Sequence, residues 1–255
     1  MTTLPEAFLR VPIAHRALHD VSDGRPENSR AAIRAAIDHG YGIEVDLQLS
    51  RDGQAMVFHD YDMGRLTGRP GPVQQRSAAE LAAIPLLGGD EGAPSLAEAL
   101  ALVAGRVPML IELKDQHGQM GETDGRLERA VAAATEGYAG DVALMSFNPR
   151  SVVQLKTFCP GVARGIVTCG YPEDDWPLLR SEVRAHLATI PDYDETGASF
   201  ISHEVIDLGA PRVAELKAAG AHVLCWTVRS PAQEAEARRV AENITFERYL
   251  PAFPG

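Results

Sequence analysis

Short apolar runs alternate with helix-patterned segments along this chain, about eight times from end to end. That rhythm constrains the fold strongly. A chain that leaves a strand, forms a helix and comes back can rejoin a sheet only as a parallel neighbour. The strand-like runs are residues 11–14, 43–49, 54–58, 107–112, 142–147, 163–167, 200–201, 222–228 and 243–246. Between them, residues 27–39, 77–83, 95–104, 125–135, 149–158, 178–187, 210–219 and 231–240 carry helical patterning. The expectation is a (β/α)8 TIM barrel. An open doubly wound sheet is the alternative, but no Gly-x-Gly-x-x-Gly follows the first run.

Local signals support several boundaries. Gly40 stands as a stop after the first helix, and Asp52-Gly53 as a turn before the 54–58 run. Ser95 with Glu98 reads as a capping box, Gly220 as another stop, and Pro231 as a helix start. Residues 60–94 are rich in Gly and Pro and read as a small insertion after the second strand region. Residues 1–255 are therefore expected to form one domain. The hydrophobic fraction of 45% allows a substantial core.

Charge narrows the partners. The formal net charge of -11, with no run of Lys or Arg, disfavours nucleic acid and anionic lipid surfaces. Cys159, Cys169 and Cys225 form no CxxC pair and are expected to be reduced, buried thiols. The N-terminal MTTLPEAFLRVPIAHR lacks the pattern of a signal peptide. No stretch reaches the ~18 apolar residues that cross a bilayer. A cytoplasmic protein is expected, and a homo-oligomer stays open.

Chemistry gathers at three strand ends: His15-Arg16, Glu44-x-Asp46 with His59-Asp60, and Glu112-x-Lys114. Residues two apart on a strand share a face, so Glu44 and Asp46 point the same way. In a barrel, that polar face can look inward on a site. Two close carboxylates repel unless a cation lies between them, and oxygen ligands suit Mg²⁺ or Ca²⁺. Glu112 on a neighbouring strand could close that cradle. His15 and His59 have the titration range for a general base and acid. Arg16 could grip a phosphate bidentately and Lys114 could add a point charge, or Lys114 could pair with the carboxylates instead. The remaining histidines, His19 among them, read as structural. No GxSxG or Walker A motif is present.

In this order, IAHRA, Pro26-Glu27-Asn28, IEVDLQLSRDGQAMVFHD and IELK resemble the glycerophosphodiester phosphodiesterase family. APSLAEAL, Ser146-Phe147 and Trp226-Thr227-Val228 extend the resemblance to nearly the whole chain. The resemblance implies a TIM barrel that hydrolyses a glycerophosphodiester to glycerol 3-phosphate and an alcohol with a divalent metal. By position, it assigns Glu44, Asp46 and Glu112 to the metal and His15 and His59 to proton transfer. Arg16 and Lys114 would contact phosphate, and Phe147 and Trp226 would line the substrate groove. The chain departs from the family pattern at Ala17, where Gly is usual, at Arg229, and in its ITFE ending, where Glu247 stands. Two rival readings are a lysophospholipase D or phospholipase-C-like phosphodiesterase on the same scaffold, for which Met63, Leu66, Leu86 and Leu87 could form an apolar rim, and a non-catalytic binding protein.

Overall fold

The computed structural model describes residues 2–254. Nine strands form one sheet: β1 (Ile13–Ala14), β2 (Gly42–Leu49), β3 (Ala55–Val57), β4 (Met109–Leu113), β5 (Val142–Ser146), β6 (Ala163–Thr168), β7 (Phe200–Glu204), β8 (His222–Val228) and β9 (Asn243–Phe246). Eight of them are parallel. β1 pairs with both β2 and β9, so the parallel strands close on themselves. The fold is a (β/α)8 TIM barrel. β3 stands apart, because it runs antiparallel to β2 beyond the Asp52-Gly53 turn as a hairpin on the barrel's rim.

Alternation along each strand sorts the core into two layers. Ile43, Val45, Leu47, Ile111, Leu144 and Ile201 face outward and meet helix residues such as Ile33, Leu100, Val131 and Val213. Inside the barrel, Ile13, Leu110, Ala143, Val167, Phe200 and Leu224 pack with Leu4 and Phe8 from the N-terminal segment. Gly165 is required there: a Cβ would lie 2.4 Å from the Phe200 ring. Asn243 fastens the segment to the barrel, donating to the carbonyls of Phe8 at 2.9 Å and Val11 at 2.6 Å.

The expected caps form. Gly40 and Gly220 take positive φ after their helices, and Ser95 with Glu98 makes the reciprocal capping box of Leu96–Val103. Some boundaries differ. The first long helix is Arg30–His39, not 27–39, because Ser29 caps it by accepting from the Ala32 N–H. That frees Glu27 and Asn28 for the site. The helix expected at 178–187 is Ser181–Ala188, with a further turn at Tyr193–Thr196. Leu179 is drawn instead into a cluster with Cys169, Tyr171 and Leu187.

Residues 60–94 carry helices Gly64–Thr67 and Ala78–Ala83. Their apolar side chains Met63, Leu66, Val73, Leu81 and Leu86 pack with Met56 and Phe58 into a cluster of their own. Only Leu87 of the four rim candidates is exposed, so this segment does not present an apolar face. Among the described residues, no helix is long and apolar enough to cross a membrane. All three cysteines are free and buried.

Candidate active site

Strand register builds the site. The β2–β4 pairing sets Asp46 beside Glu112, and β1 lies between β2 and β9. His15 leaves β1 with its N–H bonded to the Phe246 carbonyl, and two residues on Ala17 bonds the Glu44 carbonyl, both at 2.9 Å. This turn runs through left-handed backbone at Arg16 and Ala17, with φ of 52° and 64°. Ala17 therefore adopts the conformation that Gly takes more readily, and the Arg16 N–H reaches Glu44 Oε2 at 2.8 Å.

Glu44, Asp46 and Glu112 are all buried, and one carboxylate oxygen from each lies within 4.8 Å of the other two. Burial, with repulsion from Asp46 and Glu112, pushes the Glu44 carboxyl well above the usual range. Burial likewise raises Glu112. Burial also opposes charge on Asp46, but attraction from Lys114, His59 and Arg16 outweighs it and holds the group well below its usual range. Lys114 Nζ sits 2.8 Å from Asp46 Oδ1 and 2.7 Å from Glu112 Oε1. Asn28 donates to Asp46 at 2.8 Å, and Arg16 pairs with Glu27 at 2.7 Å and Asp46 at 3.5 Å. Both cations expected to grip phosphate thus already hold carboxylates.

Each candidate imidazole is tied at Nδ1. His59 Nδ1 is 2.7 Å from Asp60 Oδ1, and Arg65 Nε donates to the other oxygen of Asp60 at 2.6 Å. His15 Nδ1 is 2.9 Å from Glu247 Oε2, and Arg229 Nε donates to Glu247 Oε1 at 2.7 Å. Burial pushes the His15 imidazole down to about 4 against the pull of Glu247. Glu247 itself is held far below the usual range, first by its bond from His15.

These groups meet at one cavity of about 550 Å³. Its lining combines the charged and titratable side chains His15, Arg16, Glu44, His59, Glu112 and Lys114 with the apolar Phe147, Trp176, Trp226, Met120, Met145 and Leu178. The Phe147 ring centroid lies 4.9 Å from Trp176 and 5.5 Å from Trp226. All nine residues singled out in the sequence converge here, because Asp46 contacts Lys114, Arg16 and Asn28 from beneath the cavity surface. Sequence reasoning did not give working roles to Glu27, Arg65, Trp176, Arg229 and Glu247. The Pro26-Glu27-Asn28 motif was a signal for Glu27. The others become neighbours of the site only through folding.

The sequence profile of the glycerophosphoryl diester phosphodiesterase family matches residues 15–244. The chain belongs to that family. With it, the chain joins the phosphoric diester hydrolases. A glycerophosphodiester phosphodiesterase of Caldanaerobacter subterraneus is 31% identical over 67% of this chain and 72% of its own length. Among solved structures, a phosphodiesterase from Oleispira antarctica in complex with the product sn-glycerol-3-phosphate superposes with TM-score 0.75 at 24% identity, covering 94% of each chain. A glycerophosphodiester phosphodiesterase from Parabacteroides distasonis gives TM-score 0.72 at 22% identity, covering 93% of this chain and 92% of its own.

The acidic cluster of this glycerophosphoryl diester phosphodiesterase family member suits a divalent ion. Its donors are hard oxygens, they converge from adjacent strands, and Glu44 is strained by like charge that a cation would relieve. A second grouping, His15, His19 and Glu247, holds only one carboxylate. There Arg229 and Arg248, at 2.7 and 3.5 Å, already meet the Glu247 charge.

Proposed function

We propose that this chain hydrolyses glycerophosphodiesters to glycerol 3-phosphate and an alcohol, using Mg²⁺ or Ca²⁺, as a single-domain cytoplasmic enzyme. One observation carries the reading: three buried carboxylates flanked by two Nδ1-tethered histidines on a single cavity. The sn-glycerol-3-phosphate held as product by the Oleispira antarctica phosphodiesterase supports the same chemistry.

Glu44, Asp46 and Glu112 would hold the metal, which supplies positive charge against the phosphate oxygens. Arg16 and Lys114 add cationic charge beside it and orient the phosphate. His15, kept neutral by burial, accepts a proton at Nε2 from the attacking hydroxyl: that of water, which gives glycerol 3-phosphate directly, or the glycerol 2-hydroxyl, which gives a cyclic phosphate that water opens in a second step. His59 donates a proton at Nε2 to the departing alkoxide. Phe147 and Trp226 form the apolar wall against which the organic part of the substrate lies.

The test is a metal-by-substrate panel. EDTA-treated protein is given each divalent ion in turn and assayed for glycerol 3-phosphate release from several glycerophosphodiesters, with lysophosphatidylcholine as a comparison. Release restored by Mg²⁺ or Ca²⁺ supports the proposal. Full activity in EDTA rejects the metal role, and preference for the lysolipid rejects the substrate class.

A further inference from the structure

We infer that Glu247 is the positioning residue of His15, and that Arg229 holds Glu247 to that task. The inference depends on the acid–base role proposed above for His15. β9 closes the barrel against β1 with Phe246 beside Ala14, so the next residue on each strand, Glu247 and His15, emerge side by side. Their 2.9 Å contact spans 232 positions of sequence.

The chemistry of the pair sets the ring. An ionised carboxylate can only accept, so a neutral His15 bonded to Glu247 must carry its proton on Nδ1. Nε2 then holds the lone pair, and it is the only ring atom able to take a proton. With Nδ1 tied on one edge, the other edge is left for the cavity that His15 lines. Arg229 fixes the carboxylate from behind through its second oxygen at 2.7 Å. His19 Nε2, at 3.7 Å from Glu247, is a neighbour beyond hydrogen-bond distance, so the Nδ1 of His15 is the imidazole atom that bonds Oε2.

The same order of groups is built a second time. Arg65, Asp60 and His59 repeat the arginine–carboxylate–imidazole chain at 2.6 and 2.7 Å. There the carboxylate is the very next residue, whereas for His15 it comes from the far end of the chain. Two separate pieces of structure thus present an imidazole with Nδ1 engaged to the same carboxylate cluster.

Three variants test this: E247Q, E247A and E247D. Gln fills the same space, but its amide can donate to Nδ1, which moves the ring proton to Nε2 and removes the acceptor. E247Q and E247A should each lower kcat by about 10²-fold or more with KM within about threefold, and E247D should recover to within about tenfold of wild type. Imidazole ¹⁵N NMR should show His15 protonated on Nδ1 in wild type and on Nε2 in E247Q. A kcat within about threefold of wild type in E247Q and E247A overturns the inference, as does an unchanged His15 tautomer in E247Q. If E247Q fails to fold, the kcat and spectrum of E247D and E247A decide the matter by the same criteria. If wild type releases no glycerol 3-phosphate, the functional proposal fails, and the tautomer comparison still decides what Glu247 does to His15.

Discussion

Glu44 is buried beside two other carboxylates, and that burial and repulsion push its carboxyl well above the usual range. Glu44→Gln should therefore raise the metal-free melting temperature by roughly 3 °C or more and abolish the further rise that Mg²⁺ or Ca²⁺ produces in wild type. A lower melting temperature in EDTA would show that no such strain exists. His15 carries a pH signature. Burial lowers its imidazole from 6.5 to about 4. Between those values the unfolded chain binds a proton that the native ring does not, so stability falls as pH drops through that window. The full effect is roughly 3 kcal/mol. In EDTA, the urea midpoint of wild type should fall more steeply than that of His15→Gln between pH 6.5 and 4. Parallel curves would assign the acid lability elsewhere. In turnover, His15→Ala and His59→Ala should each lower kcat by about 10²-fold or more, and near-normal kcat removes that residue from proton transfer. The residues in these predictions were legible from local motifs, because two-residue spacing on a strand already places side chains on one face. Arg229 and Glu247 were visible only as departures from a pattern. Their contact depends on β8, β9 and β1 meeting at the seam, which no short segment encodes.

At the scale of elements, the segment between β6 and the helix Ser181–Ala188 shapes the apolar wall. Trp176 packs against Phe147 and Tyr171 with centroids 4.9 and 5.0 Å apart. On the proposed reading, in which the aromatic wall holds the organic part of the substrate away from the reacting atoms, Trp176→Ala should raise KM by about tenfold with a smaller change in kcat. Steady-state kinetics on a glycerophosphodiester check this, and an unchanged KM would place the organic group elsewhere. Helical periodicity suggested 178–187 here, but burial of Leu179 among Cys169, Tyr171 and Leu187 overrides it. The segment 60–94 shows the same tension. Its leucines and Met63 looked available for a lipid rim, yet three of the four candidates pack inward. Hydrophobicity in a sequence says that a side chain wants cover, not which neighbour supplies it.

For the whole molecule, closure is the decisive event. The sheet becomes a barrel only when β1, two residues long, bridges β2 and β9. Asn243 stabilises that seam by meeting two carbonyls of the N-terminal segment, that of Phe8 buried and that of Val11 half-buried. Asn243→Ala leaves both unmet and should cost roughly 2–4 kcal/mol, read from urea unfolding. A loss below about 0.5 kcal/mol would mean that other groups take over those carbonyls. What the sequence determined by itself was the architecture, through repeated strand–helix alternation, and the carboxylate, imidazole and cation inventory at strand ends. Those follow from periodicities of two and 3.6 residues, which operate over short spans. What only the tertiary structure decided was the pairing: Lys114 between Asp46 and Glu112, Arg65 on Asp60, and Glu247 on His15. Such contacts depend on strand register and on which loop lies over which, and the barrel sets both only when it closes.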